Sequence, residues 1–173
     1  MQQLERELED AGSQLRTDVL TGALNRRGLE ELLTKELNKS DASLSVCMLD
    51  LDHFSQTNNS HGHAAGDQAL RHLVAVIQQR LRGRDHIARL GGDEFVVVLP
   101  GMSAVAALES MQQLQLALAQ RPFLFGDERV QVRFSGGVAQ ARAGEPIDTL
   151  LHRADQALYA AKRIGRNRVL PAD

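Results

Sequence analysis

Two short acidic stretches in this chain could do chemistry. Asp50 and Asp52 close a run of apolar residues, and Asp93 and Glu94 follow directly on the pair Gly91-Gly92. Five apolar residues, Phe95 to Leu99, come next and read as a buried strand that Pro100 closes. The shorter run Ile87 to Leu90 reads as a strand too, so the glycine pair predicts a tight hairpin needing φ > 0. Alone, a Gly-Gly-Asp-Glu turn is better explained as a solvated hairpin tip; the acidic pair ending another apolar strand overturns that balance. Carboxylates converging on a small volume repel one another unless cations neutralise them. Hard oxygen ligands suit Mg²⁺, which keeps several waters and bridges protein carboxylates to substrate phosphates. A pair of such ions can activate a hydroxyl for in-line attack on phosphorus. Lys162 and Arg166, near the end of the last helix, could hold a phosphate tail. Cations that merely complement a helix C-terminal dipole would look the same. Residue types alone therefore reach Mg²⁺-dependent nucleotidyl transfer as a candidate chemistry and stop there.

The elements that must position these groups are legible in outline. Leu44 to Leu49 reads as a strand buried on both faces, with Phe54 tucking back beneath it. Helices are expected over Arg27 to Leu37, with Leu29, Leu32, Leu33 and Leu37 as apolar stripe, and from Leu70 to Leu81. Ser55 to Asp67, rich in Asn, Gly and His, reads as a loop. A helix over Ser103 to Ala119 has Ser103 as N-cap, and the last helix follows Pro146 and stops at Gly165. Arg129 to Phe134 alternates as a half-buried strand reaching Ser135-Gly-Gly137, and Val169-Leu170 is a candidate edge strand. The order predicts an α+β fold with a mostly antiparallel sheet, containing the ferredoxin-like βαββαβ unit. Met1, Leu4, Leu8, Ala11 and Leu15 are spaced as a short a/d seam, so residues 1–17 are expected to form a helix, a coiled-coil or signalling stub, ahead of a domain over residues 18–173.

Composition bounds the reading. A chain of 173 residues suits one domain plus an appendage, and a net charge of −2 argues against phosphate-neutralising nucleic-acid binding. Cys47, the single cysteine, falls inside a core strand and reads as an inert thiol. With no membrane-length apolar run and no signal-peptide pattern, the expectation is a cytoplasmic protein without direct membrane insertion.

Several ordered motifs carry a resemblance. Asp18-Val-Leu-Thr-Gly-Ala-Leu-Asn-Arg-Arg27, Asp50-Leu-Asp-His-Phe54, Asn58 with Gly62-His-Ala-Ala-Gly-Asp67, Arg89-Leu-Gly-Gly-Asp-Glu-Phe95, and Ala154-Asp-Gln-Ala-Leu-Tyr-Ala-Ala-Lys162 with Gly165-Arg-Asn-Arg168 strongly resemble the GGDEF family of diguanylate cyclases. The match runs from about Asp18 to Val169. It implies a catalytic domain related to nucleotide cyclase and polymerase palm domains. Such a domain joins two GTP molecules into cyclic di-GMP with release of pyrophosphate, as an antiparallel homodimer with one GTP per subunit.

The resemblance also implies roles. Asp50, the Leu51 carbonyl and Asp93 would hold Mg²⁺, or Mn²⁺ in its place, with Glu94 on a second ion. Asp93 would also sit where the 3′-hydroxyl loses its proton. Asn58 and Asp67 would read guanine through its acceptor and its N1 and N2 donors; His63 would contact ligand or pack under its loop. Asp52 would be structural, and Lys162 and Arg166 would contact the phosphate tail. Arg82 and Asp85 match an Arg-x-x-Asp product-inhibition site for cyclic di-GMP, although a plain surface ion pair would show the same spacing. Two positions depart from the family pattern: Ser55 stands where a Lys is usual, and Asn59 where an Asp is usual. The intact carboxylates favour an active enzyme; Ser55 favours the alternative, a catalytically weak domain binding GTP or cyclic di-GMP as sensor or scaffold.

Overall fold

The computed structural model describes residues 15–39 and 43–173. In chain order the elements are α1 (Arg26–Leu37), β1 (Leu44–Leu51), α2 (Phe54–His61), α3 (His63–Arg80), β2 (His86–Gly91), β3 (Glu94–Pro100), α4 (Ala104–Ala119), β4 (Phe123–Phe125), β5 (Glu128–Val130), β6 (Phe134–Gln140), α5 (Ile147–Ile164) and β7 (Val169–Pro171). The main sheet has the order β2–β3–β1–β6–β7, antiparallel except for the parallel β6–β7 pair. The expected βαββαβ unit is β1–α3–β2–β3–α4–β6, with α1, α5 and β7 added to it.

Strand periodicity sorts the core into two layers. Val46, Met48, Val96 and Val98 face α1 and α5, packing with Leu29, Leu33, Leu150 and Leu158. Cys47, Leu49, Phe95, Val97 and Leu99 point the other way, toward Leu70, Leu73 and Ile77 of α3 and Met111 and Leu118 of α4. Burial drives the Cys47 thiol far above its ordinary pKa, which fits the inert role expected for it.

Two expectations need correction. The segment from Ser55 to Asp67 is not a loop: α2 and the first turn of α3 run through it, broken at Gly62. Helix α2 buries none of its residues fully, so it lacks the apolar periodicity that reveals a helix; half-buried Phe54 and packing on α3 hold it. The strand expected over Arg129 to Phe134 is split. Val130 ends β5, which pairs with β4 as a separate hairpin, while Phe134 begins β6. Val132 is buried without belonging to either strand, so its alternation reported burial and not pairing.

The helix expected over residues 1–17 lies almost wholly outside the described residues. Leu15 and Arg16 form a turn, and Thr17 makes an isolated bridge to Leu24.

Candidate active site

Strand register brings the two acidic stretches together. Asp50 on β1 and Glu94 on β3 are directly opposed partners, and both lie on the face that carries Met48 and Val96. Like charges placed directly across a ladder are destabilising. One oxygen of Asp50 pairs with the Lys162 ammonium from α5. Its other oxygen, Oδ1, is buried and has no hydrogen-bond partner among the described residues. Asp93 sits in the turn beside them, where its carbonyl accepts from the Leu51 amide at 3.3 Å. Burial first, and the Asp50 charge second, push the Asp93 carboxyl above its usual range; Lys162 and Arg89 only partly offset this. Glu94 is raised by the same two causes and by Asp155 of α5, against Arg26 and Lys162.

The orphaned Asp50 oxygen and the two raised acids fit a divalent ion bound through hard oxygen donors. Leu51 faces the core on the opposite side of the sheet, so only its backbone carbonyl could take part. Among the described residues no three His, Cys, Asp or Glu side chains already form a closed metal cage. Mg²⁺ sites of one or two carboxylates completed by waters and substrate phosphates have no such cage.

The turn that presents Asp93 is held from outside. Gly92 adopts φ +50°, as the glycine pair required. Arg89 donates from Nε to the Gly92 carbonyl at 2.9 Å and from Nη1 to Asp18 at 3.2 Å. Burial would raise Asp18, but the Thr21 hydroxyl and amide together with Arg89 outweigh it and hold the carboxyl below its usual range. The Asp18 loop is strapped to β2 as well: Leu24 donates to the Ile87 carbonyl and accepts from the Arg89 amide, at 3.0 and 2.7 Å. Asp18 and Arg89 were visible in the sequence, but nothing in their spacing marked them as one clamp.

A second group collects at the α2–α3 corner. Asn58 lies against Gly66, where a Cβ would come within 1.8 Å of Asn58 Oδ1, so only glycine permits the approach. That oxygen is also buried without a partner among the described residues. Asp67 follows on the exposed side of α3, and His63 at its start is exposed, which rules out packing under a loop. Ser55, in the first turn of α2, is exposed. Asp52 serves structure as expected, accepting from the Ser135 hydroxyl at 2.6 Å and the Asn167 amide at 2.8 Å. Arg166, just past the end of α5, is half-buried with φ +64°. Asp155 lies on the same face of α5 as Lys162, seven residues earlier; that helical spacing was the signal for a residue the sequence reading passed over.

Arg82 and Asp85 lie apart from this cluster, after α3, and are bound to each other. The Asp85 side chain is only 2% exposed and accepts from Arg82 Nη2 at 2.7 Å and from the Arg82 amide at 2.9 Å. Arg82 Nη2 also donates to the Pro100 carbonyl at 2.7 Å. Among the described residues no helix is long and apolar enough to cross a membrane.

Comparison with known proteins gives this arrangement a family. The model described as "Diguanylate cyclase, GGDEF domain" matches residues 15–168. The diguanylate cyclase DgcP of Pseudomonas aeruginosa is 41% identical over 165 residues, covering 94% of this chain and 25% of DgcP. The diguanylate cyclase DosC of Escherichia coli is 35% identical over 156 residues, covering 88% of this chain and 34% of DosC. The chain thus spans about a third or less of the length of these curated relatives. A crystal structure of the coiled coil and GGDEF domain of DgcB from Caulobacter crescentus, in complex with c-di-GMP, superposes with a TM-score of 0.91 at 29% identity, covering 99% of this chain and 93% of that one. The diguanylate cyclase SiaD of Pseudomonas aeruginosa, solved with its activator SiaC, gives 0.88 at 35% identity, covering 99% and 67%. The family model spans the fold, the opposed carboxylates and the α2–α3 corner together, and the chain belongs to the GGDEF family.

Proposed function

We propose that this domain is a diguanylate cyclase, condensing two GTP molecules into cyclic di-GMP with release of two pyrophosphates across a homodimer. The observation that carries the reading is the opposed pair Asp50 and Glu94, with an orphaned buried oxygen and raised acids beside it. Asp50, Asp93, Glu94 and the Leu51 carbonyl would hold Mg²⁺, with Mn²⁺ as an alternative. Bound there, the metal would supply Lewis-acid charge at the phosphate and lower the pKa of the attacking 3′-hydroxyl. Burial and the neighbouring Asp50 shift the Asp93 carboxyl upward, the direction a proton acceptor needs. Lys162, exchanging Asp50 for phosphate oxygens once the carboxylate is engaged, and Arg166 would hold the triphosphate tail. Asn58 and Asp67 at the α2–α3 corner would read guanine, with His63 at the rim; adenine offers Asp67 no N1 or N2 donor, so specificity for guanine follows.

Product feedback belongs to Arg82 and Asp85 in this reading. Cyclic di-GMP binding there would have to exchange the internal Arg82–Asp85 bonds for bonds to guanine or phosphate, which makes the pair a closed latch in the free protein. The decisive experiment is incubation of the protein with GTP and Mg²⁺, with products identified by mass. Formation of cyclic di-GMP, with activity per subunit rising with protein concentration, supports the enzyme and its dimer. GTP binding without turnover would favour a sensor or scaffold.

A further inference from the structure

We propose that Arg26 binds a phosphate of the second nucleotide, the one carried by the partner copy of this chain; the inference rests on the diguanylate cyclase reading above. The functional groups follow one another across the end of the sheet. Lys162 on α5 reaches Asp50 on β1, and Glu94 follows on β3. Beyond Glu94 comes Arg26 at the start of α1, the helix that packs toward β2. The cations proposed for the first triphosphate, Lys162 and Arg166, therefore belong to the α5 side. A nucleotide arriving from the opposite side meets Arg26.

Arg26 is available for such a contact, and its neighbours are not. Its side chain is exposed and makes no hydrogen bond or ion pair among the described residues, yet its charge bears directly on Glu94. Arg89 in the same wall is committed to Asp18 and the Gly92 carbonyl, and Arg27 lies 3.7 Å from Glu31. Together with Asn25 and Gly91 these residues enclose a cavity of about 370 Å³ that opens beside the acidic turn. Condensing two nucleotides brings a second phosphate chain to a place where Asp50, Asp93, Glu94 and Asp155 already repel one another. A free guanidinium on that side, able to grip phosphate through two parallel N–H bonds, meets that need.

The test uses the full chain with Arg26→Ala and Arg26→Lys, and 3′-deoxy-GTP with Mg²⁺ as a probe that binds but cannot attack. Calorimetry at protein concentrations where the chain is monomeric reads the first nucleotide; sedimentation with excess probe reads nucleotide-driven dimerisation. Arg26→Ala should bind the first nucleotide within about twofold of the parent, while dimerisation and the rate of cyclic di-GMP formation each fall roughly tenfold or more, about 1.4 kcal/mol. Arg26→Lys should fall between, keeping the charge without the fork. Unchanged dimerisation and rate in Arg26→Ala would overturn the proposal, and so would a tenfold loss of first-nucleotide affinity, which would put Arg26 on the chain's own GTP. If the parent forms no cyclic di-GMP at all, the enzyme reading fails by itself, and the dimerisation assay still decides the role of Arg26.

Discussion

Asp85 and Glu145 differ from Asp50, Asp93 and Glu94 in one respect: whether the fold supplies their counter-charge. Asp85 receives two Arg82 nitrogens and an amide. Glu145 receives Arg153 through both carboxylate oxygens at 2.7 Å, and the Arg153 bonds hold its carboxyl below the usual range. The opposed trio has the reverse arrangement, with one lysine, one orphaned oxygen and two acids pushed up. Arg82 ties the Asp85 loop to the Pro100 carbonyl and Glu145 ties its own loop to α5, whereas the trio keeps a surplus of negative charge and, in the reading proposed above, would take up a cation. In that reading, the shift of Asp93 and Glu94 toward the neutral form distinguishes them from the structural pair.

The sharpest way to break this contrast is to remove one member of each set. Asp93→Ala or Asp50→Ala should lower turnover by at least roughly 10²–10³, while stability in urea stays level or rises because a repulsion is gone. Cyclic di-GMP formation near the parent rate in either variant would end the assignment. Arg82→Ala strips Asp85 and the Pro100 carbonyl of a charged donor, so it should cost about 1–3 kcal/mol of stability. It should also weaken cyclic di-GMP binding and relieve feedback without changing the initial rate. Unaltered product affinity by calorimetry would reduce the pair to a structural tie. Glu145→Gln should cost a similar 1–3 kcal/mol, with activity per folded molecule intact.

The contrast also predicts opposite pH signs. A raised folded pKa, as at Asp93 and Glu94, gives stability that is present at low pH and lost as pH rises through the raised value. A depressed pKa, as at Asp18 and Glu145, gives stability that is lost as pH falls through the depressed value. Mg²⁺ should therefore raise Tm at pH 8, by an amount equivalent to about 1.4 kcal/mol at ten times its Kd, and have a smaller effect in acid, where protons compete with the ion for the Asp93 and Glu94 carboxyls. An equal shift in acid, or the same shift in Asp50→Ala, would place the ion elsewhere.

Much of this was legible from residue order, and the exceptions have physical causes. The buried strands at Leu44–Leu51 and Glu94–Pro100 announced themselves by apolar runs, and the glycine pair fixed their acidic ends near a turn. Helix α2 was not legible, because a helix held by one half-buried aromatic and a neighbouring helix has no stripe to read. The Asp18–Arg89 clamp and the approach of Arg26 to Glu94 join residues about 70 apart in sequence; periodicity carries no information about such pairs. The Arg82–Asp85 spacing was visible, but that Asp85 is buried beneath its partner was not.

Ser55 gives the smallest expected effect and tests the electrostatic argument most finely. It stands exposed in the first turn of α2, with no hydrogen bond among the described residues, so Ser55→Lys has room and should leave stability within about 0.5 kcal/mol of the parent. Removing one preorganised stabilising donor from a buried site costs roughly 10²–10³ in rate. Here the position is open to water, and bound cations would already offset much of the phosphate charge, so a lysine added at Ser55 should raise kcat only about two- to tenfold. Because the charge that lysine would meet develops during transfer, KM should change little, the pattern of an interaction made mainly in the transition state. Single-turnover measurement isolates that step from product release. An unchanged single-turnover rate would mean that position 55 lies outside the field of the reacting phosphate, and that Arg26 and the Lys162 side already supply the charge the reaction uses.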